Sequence, residues 1–202
     1  MTSSLLPSRR ATCGACLRAQ SACICHWVRR MSSRVDLLIL QHPLEVRNAK
    51  NSARLLHLCL PGSRLEVGEA FPDLHALLYA DGLVPVLLYP ETPGCASPEL
   101  APVPPPERLR LVVLDATWRK SRKMLHVNPE LQRLPRLALH DVPASTYRIR
   151  KAHAPHQLST LEAAALALAQ MEGDGDRYRP LLQAFDGFVQ QQAALFLCLN
   201  PS

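Results

Sequence analysis

The sequence predicts an α/β protein, a parallel sheet covered by helices on both faces and preceded by a small cysteine-bearing module. Three observations carry this. Short apolar runs alternate with segments whose apolar residues recur at helical spacing, and strands separated by helices imply parallel strands buried on both sides. The strongest run, residues 109–114, ends in Asp115-Ala116-Thr117-Trp118, and the carboxyl ends of such strands are where open α/β sheets bind ligands. Cys13, Cys16, Cys23 and Cys25 crowd into thirteen residues that have almost no core of their own.

The elements follow in order. Val35-Asp-Leu-Leu-Ile-Leu40 is a buried strand that stops at Gln41-His42-Pro43, because proline cannot donate to the ladder. Residues 48–60 carry Leu55, Leu56, Leu58 and Leu60 and read as a helix closed by Pro61-Gly62. Residues 64–69 alternate as a short strand. Residues 72–79 have Leu74, Leu77 and Leu78 at helical spacing behind a first-turn proline. Residues 84–89 form the next strand. Seven prolines between Pro90 and Glu107 leave only a loop or an extended segment there. After the 109–114 strand, residues 117–126 and 129–134 read as helices and 135–139 as a last strand. Ser159 and Glu162 fit a capping box that opens an alanine-rich helix ended by Gly173, and a final helix runs from about Pro180 to Leu199. A boundary near Arg34 divides the chain into a module of residues 1–34 and a body of residues 35–202.

A chain of 202 residues is long enough to bury one substantial core and one small satellite. No apolar run approaches the ~20 residues of a membrane helix, and the N-terminus has no apolar signal core, so a cytoplasmic protein with reduced cysteines is expected. The net charge of +6 is unevenly spread: six arginines (9, 10, 18, 29, 30 and 34) and no acid precede Asp36, while the remainder is formally neutral. A cationic module beside a neutral body suits a phosphate backbone; a basic tail that only aids solubility is the plainer reading.

The cysteine spacing, C-x2-C-x6-C-x-C, matches a structural zinc site, with Gly14 letting the backbone fold around the ion. Disulfides and a redox C-x-x-C are the competing uses. The metal would supply folding energy that so short a segment lacks. His26 adjoins Cys25, which makes joint ligation awkward. Cys59 and Cys198 lie in apolar surroundings and read as packed thiols.

Asp115 at the strand end could accept a proton, or Asp115 or Thr117 could simply cap the next helix. On a helical wheel Arg119, Lys120, Arg122 and Lys123 fill one arc, while Trp118, Ser121, Met124 and Leu125 fill the arc that would pack on the sheet. A second basic cluster, Arg148, Arg150 and Lys151, follows Tyr147, a combination suited to phosphate contact and base stacking.

These motifs together resemble the DTW-domain family of bacterial tRNA-uridine aminocarboxypropyltransferases. The resemblance rests on Asp115-Ala-Thr-Trp118-Arg-Lys120 behind an apolar strand and on the four cysteines. It is supported by Gln41-His42-Pro43 with Glu45, by Ser145-x-Tyr147-x-x-Arg150-Lys151 and by Leu158-Ser159-Thr160-Leu161-Glu162. Ser52 departs from an expected threonine but keeps the hydroxyl. The resemblance implies a SPOUT-like fold with a C-terminal trefoil knot, which periodicity could not have shown. It implies S-adenosylmethionine as donor of its 3-amino-3-carboxypropyl group to N3 of a tRNA uridine, with 5′-methylthioadenosine leaving.

On that reading Asp115 is the base, with Thr117 and Trp118 beside it. The backbone at Leu114, Leu134 and Leu139, the Tyr147 ring and the helix start at Leu158, Ser159 and Thr160 hold the cofactor, the last because free N–H groups suit a carboxylate. Arg119, Lys120, Arg122, Lys123, Arg148, Arg150, Lys151 and His42 meet the tRNA. No obligatory protein partner is implied. An RNA methyltransferase of similar fold and a non-catalytic zinc-dependent RNA-binding protein remain the competing functions.

Overall fold

A computed structural model describes residues 11–91, 98, 100–139 and 158–199. Its centre is a sheet of five parallel strands, β1 (Asp36–Gln41), β2 (Arg64–Val67), β3 (Val84–Leu88), β4 (Leu109–Asp115) and β5 (Arg136–Leu137), in the order β2-β1-β4-β3-β5. Six α-helices are described: α1 (Ala53–Cys59), α2 (Leu74–Tyr79), α3 (Trp118–Val127), α4 (Pro129–Gln132), α5 (Thr160–Glu172) and α6 (Arg179–Leu199).

The doubly apolar strands divide their side chains between two cores. Leu37, Ile39, Leu111 and Val113 join α1, α5 and α6 on one face. Leu38, Leu40, Leu87 and Val112 join α2, α3 and α4 on the other. Because successive side chains of a strand point to opposite faces, this partition is what the unbroken leucine and valine runs require. One charged side chain lies buried in the middle of the sheet. Arg110 of β4 is only 5% exposed, yet its guanidinium pairs with Asp36 at 2.5 Å and donates to the Leu77 and Leu78 carbonyls at 2.6 and 3.2 Å. A buried charge satisfied in this way fastens the end of α2 to the sheet.

Every predicted strand and helix is present, and two differ most in extent. The helix expected over residues 48–60 begins only at Ala53, because Asn48 and Asn51 turn their side chains onto the backbone N–H groups of Lys50 and Arg54. The last strand shrinks to two residues that pair only with Leu87 and Leu88. That shortness also accommodates Pro85: Leu87 donates its N–H toward β5, so Pro85, two residues earlier, lacks a donor on the side β5 does not reach. The capping box forms as expected, with Glu162 N donating to Ser159 Oγ at 3.2 Å and Ser159 N to Glu162 Oε2 at 2.8 Å. Gly173 closes α5 in the left-handed region at φ 68°.

The cysteine-bearing segment shares the first core. Cys16 and Ile24 are buried in it, and the Trp27 ring lies across Gly187 of α6 while its indole N–H donates to Gln191 at 2.7 Å. Gln191 in turn donates to the Cys23 carbonyl at 3.0 Å. A Cβ at position 187 would sit 2.3 Å from the Trp27 ring, so glycine is required there by packing. Gly187→Ala is expected to lower stability by about 1–3 kcal/mol, the usual cost of overpacking. Thermal unfolding checks this; a melting temperature equal to the parent's would show that Trp27 is not docked there.

Candidate functional site

Strand β1 leads to β2 on one side, whereas β4 leads through α3 and α4 to β5 on the other. The carboxyl ends of β1 and β4 therefore form the switch point of the sheet, where the crevice of an open α/β sheet lies. Gln41 and Asp115, the last residues of the two strands, stand opposite one another.

Asp115 is 4% exposed and holds this junction together. Its Oδ2 accepts hydrogen bonds from Gln41 Nε2 at 2.8 Å and Asn51 Nδ2 at 2.5 Å, and its Oδ1 accepts one from Thr160 Oγ1 at 2.7 Å. One carboxylate thus gathers β1, β4, the loop before α1 and the start of α5. Burial pushes its carboxyl above the ordinary carboxylate range, against the pull of Gln41, Thr160 and Asn51, and the charge of Glu45 adds to the rise. Neither reading of Asp115 or Thr117 as a side-chain helix cap holds, since Thr117 occupies the cap position of α3 without a side-chain bond.

A small polar recess opens here, lined by Glu45, Lys50, Asn51, Ser52, Asp115, Ala116, Ser159 and Thr160. Glu45 is buried and fixed at both oxygens, by Lys120 Nζ at 2.9 Å and Asn48 Nδ2 at 2.8 Å. Ser52 Oγ accepts from Leu161 N at 3.2 Å, so the hydroxyl retained at this position joins the starts of α1 and α5. The start of α5 is consequently less open than its sequence suggests, because Ser52 and Ser159 already engage the N–H groups of Leu161 and Glu162.

The predicted residues fall into groups. Asp115, Ser159 and Thr160 line the recess. Leu114 and Leu134 pack in the second core and Leu139 against the first; Leu158 is half-buried beside the α5 start, and none of these four lines the recess. Trp118 differs from the wheel reading: instead of packing on the sheet it is 52% exposed, its ring edge-on to Tyr89 at 5.7 Å. As the first residue of α3 it stands clear of the layer that buries Ser121, Met124 and Leu125.

The basic face of α3 is likewise divided. Arg119 and Arg122 are exposed, but Lys120 binds Glu45 and Lys123 Nζ lies 2.8 Å from Glu69, so acids from other parts of the chain balance two of the four charges. The Lys123 ammonium, then His42, hold the Glu69 carboxyl below its ordinary range. His42 is buried rather than presented to nucleic acid. Its Nδ1 accepts from Leu44 N at 3.2 Å, which leaves Nε2 to donate to Glu69 at 3.1 Å. Tyr147, Arg148, Arg150 and Lys151, with Arg9 and Arg10, lie outside the described residues.

Three module arginines are also engaged internally. Arg18 donates to the Ala49 and Asn51 carbonyls at 2.5 and 2.9 Å with its guanidinium over Phe188, Arg29 donates to the His26 and Val28 carbonyls at 3.0 and 3.2 Å, and Arg34 pairs with Glu107 at 2.7 Å. Gln41, Asn51 and Glu45 are site residues to which sequence reasoning assigns no chemical task; Gln41 and Glu45 stand out there only as part of the motif Gln41-His42-Pro43 with Glu45.

The four cysteines converge. Cys13 and Cys25 sulfurs are 3.6 Å apart, Cys16 and Cys23 3.8 Å, and all four lie within 4.8 Å of one another. Thiolates bound tetrahedrally at about 2.3 Å would stand about 3.8 Å apart, so the cluster could hold a metal ion. The backbone N–H groups of Cys16 and Ala15 bring the Cys13 thiol down to about 6, whereas burial pushes Cys25 up to about 12. The turn between the first two cysteines closes through Leu17, in the left-handed region at φ 59°, rather than through Gly14. Cys59 is buried as expected and accepts from Arg29 N at 3.4 Å. Among the described residues no helix is long and apolar enough to cross a membrane.

The chain is 32% identical to tRNA-uridine aminocarboxypropyltransferase 2 of Drosophila melanogaster, over 96% of its own length and 83% of the relative's. It is 31% identical to the protein of the same name from Mus musculus, over 92% of its length and 66% of the relative's. To tRNA-uridine aminocarboxypropyltransferase A of Arabidopsis thaliana it is 24% identical, over 96% and 85%. No solved structure matches the chain. The model of the DTW domain matches residues 10–193, from the cysteine cluster into α6, and the chain belongs to the DTW-domain family.

Proposed function

We propose that the chain is a tRNA-uridine aminocarboxypropyltransferase, which moves the 3-amino-3-carboxypropyl group of S-adenosylmethionine to N3 of a uridine in tRNA. The observation that carries the reading is a buried carboxylate, Asp115, held at the switch point of the sheet by three donors and lining a polar recess. Its raised ionisation suits a proton acceptor working near neutrality. The names of the relatives supply the substrate class.

S-adenosylmethionine, when bound, supplies an electrophilic γ-carbon and a sulfonium leaving group. The residues then have distinct tasks. Asp115 would accept the uridine N3 proton, freeing N3 to take the aminocarboxypropyl group as 5′-methylthioadenosine leaves. Thr117 fixes the turn between Asp115 and α3, and the exposed Trp118 ring offers the uracil a stacking face beside that carboxylate. Ser159 and Thr160 would hold the cofactor at the recess; the backbone at Leu114, Leu134, Leu139 and Leu158, which the resemblance implies as partners, does not line it, and the Tyr147 ring lies outside the described residues. The fold is then SPOUT-like, with a C-terminal trefoil knot. The four cysteines hold zinc as a structural ion. The setting is the cytoplasm.

Arg119 and Arg122, with Arg148, Arg150 and Lys151, meet phosphates. Binding of tRNA is therefore expected to weaken as salt rises, by close to one unit of log K per log salt for each duplex phosphate contact. Changing Arg119 and Arg122 together to Glu should flatten that slope, and an affinity indifferent to salt would contradict the assignment. Mass spectrometry of tRNA nucleosides from cells with and without the gene tests the function itself: a uridine bearing the aminocarboxypropyl group should disappear with the gene.

A further inference from the structure

We propose that Lys120 is a positioning residue of the Asp115 site: its ammonium neutralises Glu45, and through Glu45 it keeps Asp115 ionised, instead of contacting RNA phosphate. The sequence makes Lys120 one of four equivalent cations on α3; the structure singles it out. Its Nζ lies 2.9 Å from Glu45 Oε1, and the two side chains are 20% and 4% exposed. Lys123, one turn on, binds Glu69, which does not line the recess.

Among the described residues, the charged groups near Asp115 can be placed. Glu45 comes from the turn after β1 and Lys50 from the loop before α1; both line the recess with Asp115. Lys120 comes from α3 and is held to Glu45. Glu162 of α5 is engaged in the capping box, and His42 at the end of β1 faces Glu69. Gln41, Asn51 and Thr160 contribute neutral donors only. Two buried carboxylates thus share one recess, and each disfavours the ionised form of the other. Removing the Lys120 charge leaves that repulsion uncompensated and must move the ionisation of Asp115 upward. Removing Glu45 as well must bring it back.

The activity part of this inference rests on the function proposed above, while the titration part does not. The test uses the full chain with its metal and compares the parent with Lys120→Met, Lys120→Arg, Glu45→Gln and the Lys120→Met/Glu45→Gln double variant. The carboxyl carbon of Asp115 is titrated by NMR, assigned by its absence in Asp115→Asn. Single-turnover rate is followed against pH, and tRNA affinity is measured. Lys120→Met should raise the Asp115 midpoint and the acid limb of the rate profile by about one unit, with tRNA affinity within about twofold. Lys120→Arg should stay near the parent, and the double variant should return toward it.

An unmoved Asp115 midpoint in Lys120→Met would overturn the proposal. So would a weakened tRNA affinity whose salt slope drops by nearly one, the mark of a lost phosphate contact. If Lys120→Met does not fold, Glu45→Gln alone decides: the Asp115 midpoint should fall, and no movement rejects the inference. Midpoints that shift as expected in a protein that transfers nothing would reject the proposed function and leave this inference standing.

Discussion

Asp115→Asn is expected to lower the single-turnover rate of transfer by about 10²–10⁴-fold, the range for loss of a general base, with the fold intact. The amide can rotate its oxygen toward Gln41 and Asn51 and its nitrogen toward the Thr160 hydroxyl, which is able to accept as well as donate. The electrostatic sign favours stability too. Burial raises the carboxyl above its ordinary value of 3.8, so ionisation costs folding free energy as pH rises from that value through the folded one. Asparagine removes the cost, and the variant should melt near the parent or slightly above it. Asp115→Ala differs, because it leaves three donors facing a small void; each buried unsatisfied donor costs about 1–3 kcal/mol, and unfolding at lower temperature is expected. A rate within a few-fold of the parent for Asp115→Asn would leave Asp115 as the knot of the junction and nothing more. In the parent, the rate should rise as pH increases through the raised ionisation of Asp115.

Cys16→Ser, or removal of the ion by a strong chelator, should have the other large effect. Apparent binding of zinc adds about 10–16 kcal/mol to the folding of small zinc peptides, comparable with the ~5–15 kcal/mol stability of a whole domain. Cys16 is buried in the first core, and the module it anchors covers Gly187 and Phe188 through Trp27 and Arg18. Losing the ion would uncover part of α6, so the damage should reach the body of the chain and not stop at residue 34. Metal content and thermal unfolding measured together check this. A serine variant that retains one ion per chain, or melts with the parent, would separate the cluster from stability.

Most of the sheet was legible because its strands are buried on both faces. Runs such as Leu37–Leu40 and Leu111–Leu114 suit strands covered on both faces, and the helices between them dictate parallel pairing. The capping box was equally plain, since Ser159 and Glu162 satisfy each other locally. What spacing could not reveal depends on residues far apart in sequence. The partners of Asp115 come from positions 41, 51 and 160, and only the folded sheet brings them together. The α3 wheel failed for the same reason. It correctly showed a stretch without acids, but Glu45 and Glu69 reach Lys120 and Lys123 from other elements. Trp118 looked like core by hydrophobicity, yet the first turn of α3 lies beyond the packed layer. Gly14 looked like the hinge of the cysteine knuckle, and Leu17 carries the positive φ instead.

The central claim, that a carboxylate at the β1–β4 switch point directs transfer of the longer arm of the cofactor, meets its most direct test in one labelled reaction. Purified protein is incubated with tRNA and S-adenosylmethionine carrying distinguishable isotopes in the methyl group and in the aminocarboxypropyl chain. The predicted result is a uridine nucleoside bearing only the chain label at N3, with 5′-methylthioadenosine released in equal amount and both products lost in Asp115→Asn. Methyl label in the tRNA with S-adenosylhomocysteine as by-product, or no label in tRNA that the protein demonstrably binds, would contradict it.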